Sequence, residues 1–261
     1  MMNKNALIAT FIIFISLFAS CDNSLDAFDE RALYSIHGYL GIYREYNYIR
    51  IKELSSPLRA DSTREIDATV TLQNLKTGES EVLKDSIMQF DNVYTHNFRT
   101  TLDITPETSY RLTVERSDGE ILEATATTPF IAQLQITPAE INCRTRIRTS
   151  FVPVLDRIYV HAFLGFSFKN QMYWITIPEV IDAEEEFVYL SFAVQSVLDQ
   201  VFRKNPIECY EMDTDSLYIK YYHFGPDYFD DTVDDTLLIP GGAGEFKGLY
   251  MRIVPFHVDT T

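Results

Sequence analysis

The stretch Ser109-Tyr110-Arg111-Leu112-Thr113-Val114-Glu115 decides the fold of this chain. Its apolar side chains Tyr110, Leu112 and Val114 alternate with polar ones, which is the pattern of a strand with one buried and one solvated face. The turn signal Ser117-Asp118-Gly119 follows it directly. The stretch therefore predicts a strand in a β-rich domain.

The same alternation extends outward from this strand. It is found in Tyr48 to Lys52, Ala68 to Leu72 and Val93 to Leu102, with a further turn at Lys76-Thr77-Gly78. About seven short strands at this spacing are typical of a sandwich. We therefore expect an immunoglobulin-like or fibronectin-like β-sandwich over residues 34–130.

The remaining residues, 131–261, predict a β-rich second domain with a short helical insertion. Strands are expected at Arg157 to Phe168, Gln171 to Ile177, Ser216 to Phe224 and Gly248 to Val254. Apolar residues recur near helical spacing in Ser191 to Arg203, before the helix breaker Pro206. The fold class expected for the whole chain is mainly β, with a boundary near residue 130.

The first residues have the order of a bacterial lipoprotein signal peptide. Lys4 precedes an uncharged run from Ala6 to Ser20, and the small residues Ala19 and Ser20 precede Cys21. Phe18 occupies the position where a strict lipobox has Leu. We expect residues 1–20 to be removed, Cys21 to carry acyl chains such as palmitate, and residues 21–33 to form an acid-rich tether. A plain cleaved signal and an uncleaved anchor are the alternatives.

The net charge limits the partners of this protein. The chain has 22 basic and 38 acidic side chains, a net charge of −16. Nucleic acids and anionic lipid surfaces are polyanions that this charge repels, so we exclude nucleic acid as a partner. The membrane attachment must come from the acyl chains.

Two cysteines remain once Cys21 is assigned to the lipid. Cys143 and Cys209 can then pair, because exported proteins fold in an oxidising compartment. The alternative is two separate buried thiols that behave as small hydrophobic side chains.

The sequence gives little support for a metal site. His37, His96, His161, His223 and His257 are scattered and form no zinc motif. Acidic residues crowd into one region, namely Asp213, Asp215, Asp227, Asp230, Asp231, Asp234 and Asp235. Asp227, Asp230, Asp231 and Asp234 are weak calcium candidates, but they lack the spacing of a calcium loop, and a solvated acidic loop is the commoner cause of such a run.

The glycines Gly241-Gly242-Ala243-Gly244 predict a turn or bulge that requires positive φ. Neither Lys-Ser nor Lys-Thr follows them, as a phosphate-binding loop requires.

Aromatic residues concentrate in the same part of the sequence as the acidic ones. We expect Tyr218, Tyr221, Tyr222, Tyr228 and Phe229, which flank His223 and Phe224, to form a candidate ligand platform. Buried rings in a strand are the alternative.

The sequence contains no nucleophile motif of the Gly-x-Ser-x-Gly or Ser-x-x-Lys type. Glu179, Asp182 and the acidic residues 184–186 are the carboxylates from which a glycosidase pair would be drawn, but such pairs are expected by chance in so acidic a chain. We therefore predict neither catalysis nor a cofactor.

Several local features resemble one family. They are the lipid-anchored start, the early strand Ile36-His37-Gly38-Tyr39-Leu40, the strand from Ala68 to Leu72, the stretch from Pro106 to Val114, the exit from Ala124 to Pro129, and the glycine-rich turn up to Phe246. Together they resemble domain-of-unknown-function family 4249, exported lipoproteins of Bacteroidota-type bacteria. The resemblance covers nearly the whole chain. It implies an outer-membrane lipoprotein beside a TonB-dependent receptor and supplies no catalytic residues.

Three hypotheses for the function follow. The first is a non-enzymatic accessory or binding module beside an outer-membrane transporter, facing either the periplasm or the surface. The second is a carbohydrate-binding or carbohydrate-degrading surface lipoprotein. The third is a purely structural envelope protein.

Overall fold

The fold is built almost entirely of β-strands. The computed structural model of this chain describes residues 33–54, 63–137, 140–152, 160–177, 179–182, 187–226, 239 and 242–259. Its strands are β1 (Tyr34–Gly41), β2 (Asn47–Glu53), β3 (Thr69–Asn74), β4 (Ser80–Val82), β5 (Lys84–Phe90), β6 (Val93–Thr100), β7 (Ser109–Glu115), β8 (Ile121–Thr127), β9 (Gln133–Thr137), β10 (Ile147–Val152), β11 (Val160–Phe168), β12 (Gln171–Ile177), β13 (Glu179–Asp182), β14 (Phe187–Phe192), β15 (Asp213–Phe224) and β16 (Ala243–Phe256). The described residues also contain one α-helix, α1 (Val194–Val201), and one 3₁₀ helix (Cys209–Glu211). Neither helix of the described ranges has both the length and the apolar character needed to cross a membrane.

The first eight strands form an immunoglobulin-like sandwich. Strands β1, β2, β6 and β5 lie side by side in that order, and β4, β3, β7 and β8 form a separate sheet. If β1 to β8 are lettered A, B, C, C′, D, E, F and G, these orders are A-B-E-D and C′-C-F-G. Immunoglobulin domains pair their strands in this way. The predicted mainly β fold with an immunoglobulin-like sandwich is therefore confirmed.

The alternation in the Ser109 to Glu115 stretch builds the core of the sandwich. On β7, Leu112 and Val114 lie opposite Leu72 and Val70 of β3, and all four side chains are fully buried. They pack in one core with apolar residues of the facing sheet, such as Ile36. Each such side chain contributes about 1.5 to 3 kcal/mol through burial.

Tyr110 adds a second mark of this architecture. It lies at the start of β7, fully buried, and its hydroxyl accepts a hydrogen bond from the Thr105 backbone N–H at 2.8 Å. The same hydroxyl donates to the Asp103 carbonyl oxygen at 3.2 Å. A tyrosine at the start of strand F that binds the backbone just upstream is the tyrosine corner of immunoglobulin-like domains.

The first sheet continues beyond β1 into the second half of the chain. The last strand, β16, pairs in parallel with β1 from Ser35 opposite Ala243 to Gly41 opposite Leu249. Strands β15, β11 and β12 follow, which gives an eight-stranded sheet in the order β12-β11-β15-β16-β1-β2-β6-β5. The sheet thus contains strands from both sides of residue 130, and the division into two domains there stays a prediction.

Gly244 allows β16 to pair with β1. Its φ is +108°, and a Cβ at this position would lie 1.9 Å from the Ile36 carbonyl oxygen. The glycine-rich segment therefore provides the positive φ that the sequence predicts for it. Gly241 lies outside the described residues.

A further four-stranded sheet has the order β13-β14-β10-β9. It packs against the part of the eight-stranded sheet that contains β15. The ring of Phe151 on β10 meets the ring of Tyr221 on β15 edge to face at 5.4 Å. Helix α1 buries Val194, Val197 and Leu198 in the core. The predicted helical insertion is confirmed, but α1 is shorter than Ser191 to Arg203 because the first two residues of that range belong to β14.

Candidate binding face

The two faces of the eight-stranded sheet differ in chemistry. Successive residues of a strand point to opposite faces. On β15 the buried face carries Leu217, Ile219, Tyr221 and His223. The opposite face, here called the outer face, carries the partly exposed Tyr218, Lys220, Tyr222 and Phe224. The registers extend this division to the neighbouring strands, because Lys220 lies opposite Phe163 on β11 and opposite Ile253 on β16.

Lys220 is surrounded by aromatic rings on the outer face. Its Nζ lies 4.2 Å from the ring centroid of Trp174, 5.1 Å from that of Phe163 and 5.5 Å from that of Tyr222. Phe163 and Tyr222 also meet edge to face, with centroids 5.8 Å apart. An ammonium over an aromatic face gains roughly 0.5 to 1 kcal/mol at an exposed site. These contacts hold side chains from three adjacent strands in one arrangement.

Trp174 lies against the backbone of β11. It is opposite Gly165 in the β11–β12 register, and a Cβ at Gly165 would lie 2.4 Å from Cζ3 of the indole. The absence of a side chain at Gly165 therefore makes room for the ring. Trp174 remains 37% exposed.

Eight side chains of β11, β12, β15 and β16 form what we call the aromatic face: Phe163, Met172, Trp174, Tyr218, Lys220, Tyr222, Met251 and Ile253. Met172 and Ile253 are each 45% exposed. Lys220 is the only charged residue of the eight, in a chain whose net charge is −16. Aromatic and methionine side chains with few carboxylates are typical of the centre of a protein interface. Exposed apolar patches commonly mark interaction sites.

The outer face becomes more polar toward β1. The ring of Phe224 meets Tyr39 at 6.1 Å and His161 at 5.3 Å, in both cases edge to face. The Tyr39 hydroxyl donates a hydrogen bond to the Glu245 carboxylate. This group borders the aromatic face and brings a carboxylate to its edge.

Tyr221 does not belong to the platform in which the sequence places it. Its side chain is fully buried, and its hydroxyl donates to the Ala132 carbonyl oxygen at 2.8 Å. Burial raises its pKa above the ordinary tyrosine range. Tyr218 and Tyr222, by contrast, lie on the outer face. Tyr228 and Phe229 lie outside the described residues.

His223 is also directed into the core. It is 1% exposed, and within the described part of the chain its Nδ1 has no hydrogen-bond partner. Burial lowers the pKa of the imidazole to about 4, although a hydrogen bond with the Phe130 backbone acts in the opposite direction. His223 is therefore neutral at pH 7 and is inaccessible to a ligand on the outer face.

The described residues contain no group of three or more His, Cys, Asp or Glu side chains that is arranged to hold a metal ion. His96 instead pairs with Asp85, with Nδ1 and Oδ2 2.6 Å apart. The weak calcium candidates Asp227, Asp230, Asp231 and Asp234 lie outside the described residues, as do the acidic residues 184–186 and Cys21. Glu179 and Asp182 lie at the two ends of β13.

Cys143 and Cys209 are joined by a disulfide, with their Cα atoms 5.7 Å apart. Gln195 of α1 ties the two cysteines together further. Its backbone N–H donates to the Cys143 carbonyl oxygen at 3.0 Å, and its Oε1 accepts from the Cys209 N–H at 2.9 Å. The disulfide and the two Gln195 hydrogen bonds together connect the start of α1 to the 3₁₀ helix.

A shallow depression of about 340 Å³ lies beside the disulfide and is lined by polar side chains, among them Arg144, Ser196 and Glu208. The Gln195 side chain in it is already bonded to Asp199 and to the Ile207 backbone. The central side chain of this depression is thus occupied by bonds within the protein, whereas the aromatic face exposes large apolar groups. We therefore take the aromatic face as the candidate site.

Sequence reasoning missed three central members of the aromatic face, namely Trp174, Phe163 and Lys220. Trp174 and Phe163 lie more than 40 positions away from Tyr222 in the chain. Two features of the sequence could have indicated these residues. All three lie in strands that the sequence predicts, and Trp174 is the only tryptophan of the chain.

No family model matches this chain, and no curated protein matches it. Several solved structures show a distant likeness. Murine CEACAM1b is 8% identical with a TM-score of 0.24, over 87% of this chain and 100% of that chain. Titin A168169 is 11% identical with a TM-score of 0.21, over 87% and 96%. A pullulanase from Anoxybacillus sp. LM18-11, complexed with maltotriose, is 8% identical with a TM-score of 0.24, over 72% of this chain and 24% of that chain. These scores are too low to carry an argument, so the immunoglobulin-like assignment depends on the strand order and the tyrosine corner.

Proposed function

We propose that this protein is a non-enzymatic lipoprotein of the bacterial outer membrane, anchored through Cys21, which binds a protein partner through the aromatic face. The observation that carries the proposal is the arrangement of Trp174, Phe163 and Tyr222 around Lys220 on an exposed sheet face. Tryptophan and tyrosine anchors of this kind dominate the binding energy of protein interfaces.

A protein partner suits this face better than an ion or a small polar ligand. The face spans four adjacent strands, and Lys220 is the one charged residue among its eight members. Ligand pockets for small molecules are concave, whereas protein interfaces are broad and have an aromatic centre. The resemblance to family 4249 suggests a TonB-dependent receptor as the partner.

Site-specific photo-crosslinking in the native envelope tests the proposal. A photoreactive amino acid replaces Ile253 on the aromatic face, and a second variant carries it at Val152 on β10, outside that face. The two positions make a matched pair because Ile253 is 45% exposed and Val152 46%. After mild detergent extraction, mass spectrometry identifies the attached protein and the modification of Cys21.

We expect one integral outer-membrane receptor attached at position 253 and not at position 152. Equal labelling at both positions, or recovery of the lipoprotein alone, contradicts binding through the aromatic face. An unmodified Cys21 contradicts the anchor independently of the crosslink.

One observation favours carbohydrate as a second class of ligand. Trp174 and Tyr222 present partly exposed rings, and ring faces pack well against the apolar faces of sugars. Because Trp174 is the only tryptophan, its fluorescence reports directly on this face. A saturable change in emission with one class of glycan, and no crosslinked receptor, favours this second function.

A further inference from the structure

The end of the sandwich where β1 begins is defined by the strand registers, and we call it the tether end. Tyr34, the first residue of β1, lies opposite Glu53, the last residue of β2. On the other side of β2, Arg50 lies opposite Asn97 of β6. Continued by three residues, this register brings Tyr94 level with Glu53, so the turn between β5 and β6 projects beyond the start of β1.

The turn itself consists of the exposed polar residues Asp91 and Asn92, and an exposed apolar pair flanks it. Phe90 and Val93 face each other as the last cross-strand pair, and they are 60% and 46% exposed. Asp91 between them adopts a φ of 53°, which tightens the turn and leaves both apolar side chains at the tip.

A third exposed apolar residue lies at the same end. Ile121 begins β8 and is 56% exposed. Its neighbour Leu122 packs close to Gly242 and Tyr34, since a Cβ at Gly242 would lie 2.8 Å from Leu122 Cδ2 and 2.9 Å from the Tyr34 carbonyl oxygen. Phe90, Val93 and Ile121 therefore flank the point at which the chain joins β1.

The number of residues between Cys21 and β1 limits how far the tether end can lie from a membrane. Twelve residues, 22–33, separate Cys21 from Tyr34. Fully extended, a segment of this length spans at most about 40 Å. A lipid on Cys21 thus limits the distance of the tether end from the bilayer surface to about 40 Å.

We propose that the tether end docks on the lipid bilayer, with Phe90, Val93 and Ile121 placed in the interfacial region. This inference rests on the proposed lipid anchor at Cys21. The contact is apolar rather than electrostatic, because a chain with a net charge of −16 is not attracted to anionic lipid. The anchor brings the three side chains to the membrane, and their partition into the interface then orients the sandwich. The aromatic face lies on strands that run away from the tether end and is left open to a partner.

Depth-dependent fluorescence quenching tests this orientation. The chain from Cys21 onward is coupled through the Cys21 thiol to maleimide-bearing lipid in zwitterionic phosphatidylcholine vesicles; Cys143 and Cys209 are in the disulfide and do not react. Trp174→Phe removes the native tryptophan, and a new probe is introduced as Phe90→Trp or, separately, as Ile121→Trp. Tyr43→Trp is the matched control, because Tyr43 is 71% exposed and lies in the β1–β2 turn at the opposite end.

We expect brominated lipids to quench the probes at positions 90 and 121 and to shift their emission to shorter wavelength, with the probe at position 43 unchanged. Quenching at neither position, or equal quenching at position 43, overturns the proposal. Chemical coupling makes this result independent of whether bacteria acylate Cys21. Mass spectrometry of the native protein decides that separate question.

Discussion

Tyr110 and Thr105 are joined by a partly buried hydrogen bond of 2.8 Å, in which the Thr105 backbone N–H donates to the tyrosine hydroxyl. The bond connects the start of β7 to the loop that follows β6. Both partners lie in the segment that brings the chain from one sheet of the sandwich to the other.

Tyr110→Phe removes this hydroxyl and leaves a backbone N–H without its partner. We expect the free energy of unfolding to fall by about 1 kcal/mol, the usual net contribution of an intramolecular hydrogen bond. Urea denaturation followed by circular dichroism measures the loss. Tyr48→Phe, at a tyrosine that is 40% exposed, is the control and should change stability by less than about 0.5 kcal/mol. Equal effects of the two substitutions would contradict a tyrosine corner.

The disulfide between Cys143 and Cys209 should be a major source of stability in the second half of the chain. It closes a loop with a sequence separation of 66 residues, and restricting the unfolded chain over such a loop is worth about 4 kcal/mol. The double substitution Cys143→Ala and Cys209→Ala should lower the free energy of unfolding by that order. Dithiothreitol should have a comparable effect on the native protein and none on the double variant. A fall in the free energy of unfolding of less than about 1 kcal/mol would contradict stabilisation through restriction of the unfolded chain.

Much of this fold was readable from local pattern. The alternation at Ser109 to Glu115 predicted β7, and Gln171 to Ile177 matches β12 residue for residue. The parallel pairing of β16 with β1 was not readable, because it joins residues that are about 200 positions apart and parallel pairing leaves no turn signal in the sequence.

The candidate site was only partly predictable for a related reason. β15 carries aromatic residues on both faces, so its sequence does not say which face is buried. The structure resolves this, with Tyr221 and His223 inside and Tyr218 and Tyr222 outside.

The burial of His223 predicts a pH dependence of stability. Its pKa is about 4 in the folded protein and near 6.5 when unfolded, so the unfolded chain binds the proton more readily between these values. Stability should therefore fall as the pH is lowered from about 6.5 to 4, by roughly 3 kcal/mol from this group, and should not fall further on its account. Chemical denaturation at several pH values measures the slope. His223→Leu should flatten the slope in this window, whereas His37→Gln, at an exposed histidine, should not. An unchanged slope in His223→Leu would contradict a neutral buried imidazole.

Glu81 links the two sheets of the sandwich at their edge. Its carboxylate on β4 accepts hydrogen bonds from the Thr101 backbone N–H at 2.9 Å and from the Leu102 N–H at 3.1 Å. Partial burial raises its pKa, but these bonds and those from the Thr100 and Thr101 hydroxyls outweigh burial, so the pKa lies below the ordinary value.

Glu81→Gln should destabilise the protein at neutral pH by about 1 to 2 kcal/mol, because charge-assisted bonds are replaced by neutral ones. The carboxylate contributes this stability above the unfolded pKa of glutamate and loses it as the pH falls through the lower folded pKa. The difference between the variant and the native protein should therefore shrink in acid. Glu79→Gln, on an exposed neighbour, is the control, and a difference that persists in acid would assign the effect to packing rather than to charge.

Gly165→Ala tests whether binding requires the Trp174 ring in its position over Gly165. The added methyl would lie 2.4 Å from Cζ3 of the indole, so the ring must leave its position over β11 and lose its alignment with Lys220. Because Trp174 is the sole tryptophan, its emission should shift to longer wavelength as the ring becomes more exposed. Crosslinking of the proposed partner from position 253 should fall in parallel, while the disulfide and the core of the sandwich are untouched. Ser167→Ala, two residues along β11 on the same face, should change neither reading. If Gly165→Ala shifts the emission but leaves crosslinking intact, the partner does not use Trp174, and the contact must lie elsewhere on the outer face.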